Sequence, residues 1–401
     1  MPSPLNPNLS ATDVPAIIEA WRWTRGVTHP PERPLMVFSQ AAPALPPPLE
    51  LRQALAEALI TRPELHLYGA DLGNSALREA LAARTKQIYG GEISAGQVAI
   101  TSGANQAFTA VMTSLAGPGD EILLPVPWYF NHAMHCQMNG LSAVPLPTGP
   151  DLLPDPEQAK ALITPRTKAI VLVTPNNPAG VEYPPALIAA FRDLARAQGL
   201  ALVIDETYRD FHASDAPPHD LFSDPHWDET VVQLYSFSKA YRLTGHRVGA
   251  VLTSAKRLAE IEKYIDTTTI CPNQSGQFAA LWGLENLGDW LAAERQDILD
   301  RRAAMKAGFA ALPGWDLIGL GAYFAYVRHH YAMSSSELCQ NLVRSASILL
   351  LPGSMFRPKN DALGQAELRI AFANADLTGI AELFKRLATV DLPLARRPEG
   401  L

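Results

Sequence analysis

Apolar residues along this chain follow two periods. From about Leu49 they recur at helical spacing, around Leu51 to Ile60 and again from Ala76 to Tyr89. Beyond these, short apolar runs alternate with helical segments. Val98–Thr101, Glu121–Leu124, Ala143–Leu146, Ala169–Val173, Ala201–Ile204, Thr230–Leu234 and Ala250–Thr253 read as strands. A run such as Ala169-Ile-Val-Leu-Val173 is apolar throughout, as strands are when helices cover both faces of a mostly parallel sheet. From about Asp289 the pattern changes. A long helix, Leu291 to Phe309, leads into strands near Tyr323–Val327, Ile348–Leu351 and Glu367–Phe372, and a helix from Leu377 to Leu387 closes the chain. The expected fold is α/β, a mostly parallel seven-stranded sheet with helices on both faces, plus a smaller α+β domain. Residues 46–289 are expected to form the large domain, with 1–45 as an N-terminal arm and 290–401 as the small domain.

Proline changes the reading of the arm. Of 34 prolines, 11 fall within the first 48 residues. Each fixes its own φ and discourages helix in the residue before it. The stretch Pro43-Ala-Leu-Pro46-Pro47-Pro48 is therefore expected to be an extended connector, with the arm laid across the body. Composition excludes several classes. With 47% apolar and 18% charged residues the 401-residue chain is not disordered. A net charge of −7 without Lys/Arg runs leaves no footprint for nucleic acid. No apolar run approaches the ~18 residues of a membrane span, and Met1 to Ser10 lack the pattern of a signal peptide. Cys136, Cys271 and Cys339 form no Cys-x-x-Cys pair, which points to a reducing, cytoplasmic setting.

Every residue type that suggests chemistry follows a predicted strand, where ligands sit in such sheets. After Thr101 comes Ser102-Gly103-Ala104-Asn105, opening a helix: a tight turn, or a cradle of free N–H groups for a phosphate. After Leu124 comes the aromatic group Trp128-Tyr129-Phe130, which can be core or a face for a planar ring. Asn176-Asn177-Pro178 follows Val173 and reads first as turn chemistry. Asp205 ends an apolar strand and needs a cation or donor; Tyr208 lies three residues on. Ser236-Phe237-Ser238-Lys239 follows Leu234, with Arg247 eight residues beyond the lysine.

In this order the motifs resemble the class I/II aminotransferases, fold-type I enzymes dependent on pyridoxal 5'-phosphate, and the resemblance runs from about Pro34 to the end. It implies that Lys239 forms the Schiff base, that Asp205 pairs with the pyridine nitrogen, and that Tyr208 and Asn177 contact the ring oxygen. Tyr129 resembles the aromatic stacked on the ring. Ser236, Ser238, Arg247 and the turn Gly103, Ala104, Asn105 resemble the phosphate cup. Tyr68 resembles a tyrosine that reaches the phosphate of the neighbouring subunit, implying a homodimer, and Arg369 the arginine that clamps the substrate α-carboxylate. The implied activity is ping-pong transfer of an amino group between an L-amino acid and a 2-oxo acid. The chemistry explains these residue types independently. Lysine can hold an imine and move a proton, and arginine matches a carboxylate with two parallel charge-assisted bonds.

Ala41 departs from the family, which commonly has glycine there, and narrows the route past the substrate. No second arginine for a dicarboxylic substrate can be placed; Arg22, Arg25 and Arg33 lie in the arm. Trp21, Trp23, Trp128 and Phe130 favour an aromatic or large apolar donor. The alternative is a carbon–sulfur β-lyase, or another fold-type I enzyme, on the same cofactor cradle. Other classes fit less well. Ser236-x-x-Lys239 lacks the Ser-Asp-Asn and Lys-Thr-Gly partners of a penicillin-binding enzyme. Gly-x-Gly-x-x-Gly is absent, and so is any Gly-Lys pair for a P-loop. His132, His135 and Cys136 have no matching metal ligands downstream; no metal is expected, and His132 is expected to orient Asp205.

Overall fold

The computed structural model describes residues 3–395, so the first two residues of the arm and the last six of the small domain lie outside it. Strand β1 (Met36–Val37) belongs to the arm. The large sheet comprises β2 (Val98–Thr101), β3 (Glu121–Pro125), β4 (Ser142–Leu146), β5 (Thr167–Val173), β6 (Ala201–Asp205), β7 (Val231–Ser236) and β8 (Gly249–Leu252). Their order is β2-β8-β7-β6-β5-β3-β4, and only β8 runs against the others. The apolar runs are explained by two buried faces. Ile170, Leu172, Leu202 and Ile204 enter one core with Leu77, Leu81, Ile188 and Phe191, while Ala169, Val171, Ala201 and Val203 enter the other with Phe108, Val111, Leu258 and Ile261. Each fully buried Leu, Ile or Phe contributes about 1.5–3 kcal/mol, so both faces specify the register of every strand.

The smaller unit is built on an antiparallel sheet of β9 (Trp315–Gly321), β10 (Phe324–His329), β12 (Leu351–Pro352) and β13 (Glu367–Ala371), in the order β12-β13-β10-β9. Helices Gly288–Ala310, Ser335–Ala346 and Leu377–Leu387 cover it through Met305, Phe309, Leu338, Leu342, Ile380 and Leu383. The single strand expected at Ile348–Leu351 is two. Strand β11 (Ile348–Leu349) pairs parallel with β1, and Leu350 separates it from β12, which pairs with β13. The same few residues thus join the arm to the small sheet.

The arm is less extended than its prolines suggest. Pro7 and Pro15 sit at or just before helix starts, where their missing N–H is harmless, and short helices cover Pro7–Ala11 and Ala16–Arg22. No helix among the described residues is long and apolar enough to cross a membrane.

Candidate active site

Strands β2, β3, β5, β6 and β7 end on one side of the sheet, facing the small unit. The loops after them enclose a cavity of about 690 Å³. Ala104, Asn105, Tyr129, Asn177, Asp205, Tyr208, Ser236, Ser238, Lys239 and Arg247 line it from the large sheet, Ala41 from the segment after β1, and Arg369 from β13.

One end of the cavity is built for an anion. Gly103 precedes the helix Ala104–Leu115 with φ +86°, and no side chain caps the helix. A Cβ on Gly103 would lie 2.3 Å from Nη2 of Arg247, so glycine alone lets the guanidinium lie against the helix start. Arg247 Nη1 donates to the Thr244 carbonyl at 3.0 Å and to Ser238 Oγ at 3.4 Å. Ser236 Oγ accepts from the Ser238 N–H at 3.3 Å, which turns both hydroxyls onto the same corner. The helix-start N–H groups, two hydroxyls and an arginine without a carboxylate partner among the described residues meet at this corner, a donor set that suits an anion.

Deeper in, Asp205 is buried at the end of β6. Its Oδ1 accepts the Thr207 N–H at 3.0 Å, and His132 Nε2 stands 3.3 Å from Oδ2. His132 is itself oriented by stacking on Phe108, with ring centroids 3.8 Å apart and 15° between planes. Tyr129 stands edge-on to His132 at 5.0 Å. Its hydroxyl accepts from Asn131 at 2.8 Å and donates to Asn105 Oδ1 at 3.4 Å. Burial, with the neighbouring Asp205, pushes the Tyr129 phenol up. Tyr208 packs on Phe324 at 5.1 Å, and burial raises its phenol well above the ordinary value, so it stays protonated as a donor.

Two cations, Arg369 buried and Lys239 half-buried, face this space. Lys239 Nζ donates to the Ala41 carbonyl at 2.5 Å. Burial, then repulsion from Arg247 and Arg369, lowers its pKa to about 8. Arg369 is 2% exposed. It lies over the rings of Phe356 and Phe324, at 4.9 and 5.1 Å. Nη1 donates to Asn177 Oδ1 at 2.9 Å and Nη2 to the Ser39 carbonyl, while Nε has no partner. Burial lowers its pKa to about 10. A buried guanidinium held only by neutral oxygens is a charge waiting for its counter-ion.

The structure leaves some expected residues outside this cavity. Tyr68 is 79% exposed and does not line it. Of the aromatic residues proposed around the donor, Phe130 lines it, while Trp21, Trp23 and Trp128 do not; Trp128 borders a neighbouring cavity. Arg22 pairs with Glu19 on the surface at 3.0 Å. His135 packs edge-on to Phe108, and burial lowers its pKa to about 4, so it is core. Sequence reasoning missed the carbonyls of Ser39 and Ala41 and the rings flanking Arg369. Backbone oxygens leave no residue-type signal, and Phe356 comes from a different loop.

The family described as aminotransferase class I and II matches residues 33–387. The aspartate/prephenate aminotransferase of Thermus thermophilus is 27% identical over 364 residues, covering 88% of this chain and 91% of that protein. The arginine–pyruvate transaminase of Pseudomonas aeruginosa is 29% identical over 366 residues, covering 86% of this chain and 92% of its own length. Among solved structures, Thermus thermophilus aspartate aminotransferase with maleate superposes with a TM-score of 0.85 at 23% identity, over 96% of this chain and 99% of that one. Escherichia coli YbdL, described with a methionine aminotransferase function, gives a TM-score of 0.87 at 24% identity, over 97% and 100%.

Proposed function

The chain belongs to the class I and II aminotransferases, and from that premise we propose that this cavity is where an amino group passes between an L-amino acid and a 2-oxo acid, in two alternating half-reactions. The family depends on pyridoxal 5'-phosphate, and the cavity fits it: the cradle that a Cβ on Gly103 would fill matches a phosphate, and the Asp205 carboxylate matches a ring nitrogen. When bound, that group supplies a carbonyl carbon to carry the amino group and a ring that withdraws electrons from the substrate.

The chain's own residues would do the rest. The helix start, Ser236, Ser238 and Arg247 would hold the phosphate. Asp205, steadied by His132 and the Thr207 N–H, would keep the ring nitrogen protonated. Tyr208 and Asn177 would donate to the ring oxygen, and Tyr129 would pack on the ring. Lys239 would anchor the cofactor and take the proton from the substrate Cα at Nζ. With a pKa of about 8 a substantial fraction of that amine is neutral near pH 7.5, as a base requires. Arg369 would clamp the α-carboxylate.

Arg369 is the observation that carries this reading, because its buried, incompletely bonded fork faces the same cavity as Lys239. Lys239, Arg247 and Arg369 are the cavity's lysine and arginine side chains among the described residues, and Pro15, Ile17 and Phe130 give part of its wall an apolar face, which supports an aromatic or large apolar donor. A carbon–sulfur lyase is not favoured, since the related proteins are aminotransferases. The proposed assembly is a homodimer in which Tyr68 reaches the partner's phosphate site; its exposure beside exposed Leu67 supports this. The free cysteines support a cytoplasmic location.

The test is a panel of L-amino acids offered to the purified holoenzyme without an acceptor. Conversion of the pyridoxal absorbance to the pyridoxamine band, strongest with aromatic or large apolar donors, is expected. Release of product with no amine form of the cofactor would point to a lyase instead.

A further inference from the structure

The two cations of the cavity hold one short strap. Residues 37–42 run from the end of β1 past the mouth of the site, and their carbonyl groups are divided among three kinds of donor: backbone N–H groups, the two cations and a side-chain amide. The Phe38 carbonyl accepts from the Ala371 N–H at 2.9 Å, just beyond Arg369 on β13. The Ser39 carbonyl accepts from Arg369 and the Ala41 carbonyl from Lys239, and among the described residues neither has another partner. Asn374 holds the rest from outside the strap, the Gln40 carbonyl also accepting the Ala42 N–H at 3.0 Å. Its Nδ2 donates to the Val37 carbonyl at 3.0 Å and to the Gln40 carbonyl at 2.5 Å, and its Oδ1 accepts the Ala42 N–H at 3.3 Å. Both donor hydrogens of the amide are thus spent on the strap.

This division has a consequence for turnover. When Arg369 turns to a substrate carboxylate and Lys239 to the cofactor, the Ser39 and Ala41 carbonyls lose the donors that hold them. The strap then stays at the cavity wall through the Phe38 backbone bonds and Asn374. Ala41 and Ala42 line the cavity, so a strap that swings away widens the site and leaves a bound substrate less confined.

We infer that Asn374 is a positioning residue for transamination, anchoring the strap while the two cations change partners. The inference rests on the aminotransferase reading for its kinetic part and on the geometry alone for the anchoring. Asn374→Ala removes all three bonds; Asn374→Asp keeps the acceptor but sets a carboxylate against the Val37 and Gln40 carbonyls.

The test pairs amide hydrogen exchange on the full-length protein, loaded with pyridoxal 5'-phosphate so that Lys239 is drawn off the Ala41 carbonyl, with steady-state kinetics on the same holoenzyme. Both variants are expected to exchange about tenfold faster across residues 37–42, with the core strands β5 and β6 unchanged. The KM for the amino donor should rise about tenfold while kcat moves less than about threefold, as loss of substrate confinement requires. Unchanged strap exchange, or faster exchange spread evenly over the protein, would overturn the anchoring role. Faster strap exchange with KM unchanged would overturn the positioning role. If wild type transaminates no amino acid, the functional reading fails, and strap exchange alone decides whether Asn374 is the anchor.

Discussion

Lys239 and Arg369 are held where burial works against their charge, and both pKa values fall as a result. The sign for Lys239 follows from linkage. Its folded pKa of about 8 lies below the ordinary lysine value of 10.5, so between these values the unfolded chain binds more protons and stability rises with pH. The apo-protein of Lys239→Met should therefore gain most over wild type below pH 8, by on the order of 2–3 kcal/mol, and the gain should shrink towards pH 10.5. Denaturant unfolding at several pH values reads this; a gain independent of pH would contradict the buried charge. Arg369→Leu should raise the KM for every amino donor about a hundredfold, as charge-assisted bonds of about 1.5–3 kcal/mol imply. An unchanged KM would remove Arg369 from the substrate site. Asp205→Ala should still bind cofactor but turn over about a hundredfold more slowly, because the electrostatic partner of the ring is lost. Unchanged turnover would leave Asp205 merely a buried, bonded carboxylate.

Among the elements, the helix Ala104–Leu115 would do the most for the proposed cofactor, and Gly103 is where that can be broken. A methyl at φ +86° is strained and would also strike Arg247 Nη2. Gly103→Ala is therefore expected to weaken phosphate binding about tenfold, read by titrating inorganic phosphate into the apo-protein. Unaltered affinity would show that the cradle lies elsewhere. Strands of the large sheet were readable because both their faces are buried, so every residue is apolar. β9 was not, since Asp316 and Gly319 break its run and its residues alternate between buried and partly exposed. The helix Ser335–Ala346 carried its signal in the capping box of Ser334 and Glu337, which an apolar count overlooks. The split of Ile348–Pro352 into two strands depends on which sheet each half meets, and no local pattern records that.

At the scale of the molecule, the site depends on contacts far apart in sequence. Motif order singled out residues that the fold brings into one cavity, because each follows its own strand. It could not place the Asn177–Arg369 bond or the carbonyls of the strap, since those arise only when the small unit closes on the large sheet. Exposed Tyr68 is where the proposed homodimer is tested. Sedimentation at micromolar concentration should give twice the chain mass, and diluting the dimer until it dissociates should abolish activity; a competent monomer would contradict the shared site. The central claim is that Lys239 is the residue joined to the cofactor in a cavity shared with Arg369. Borohydride reduction of the holoenzyme followed by peptide mapping tests it most directly. The pyridoxyl label should fall on Lys239 alone; a label on Lys256, Lys263 or any other lysine would contradict the assignment and every role built around it.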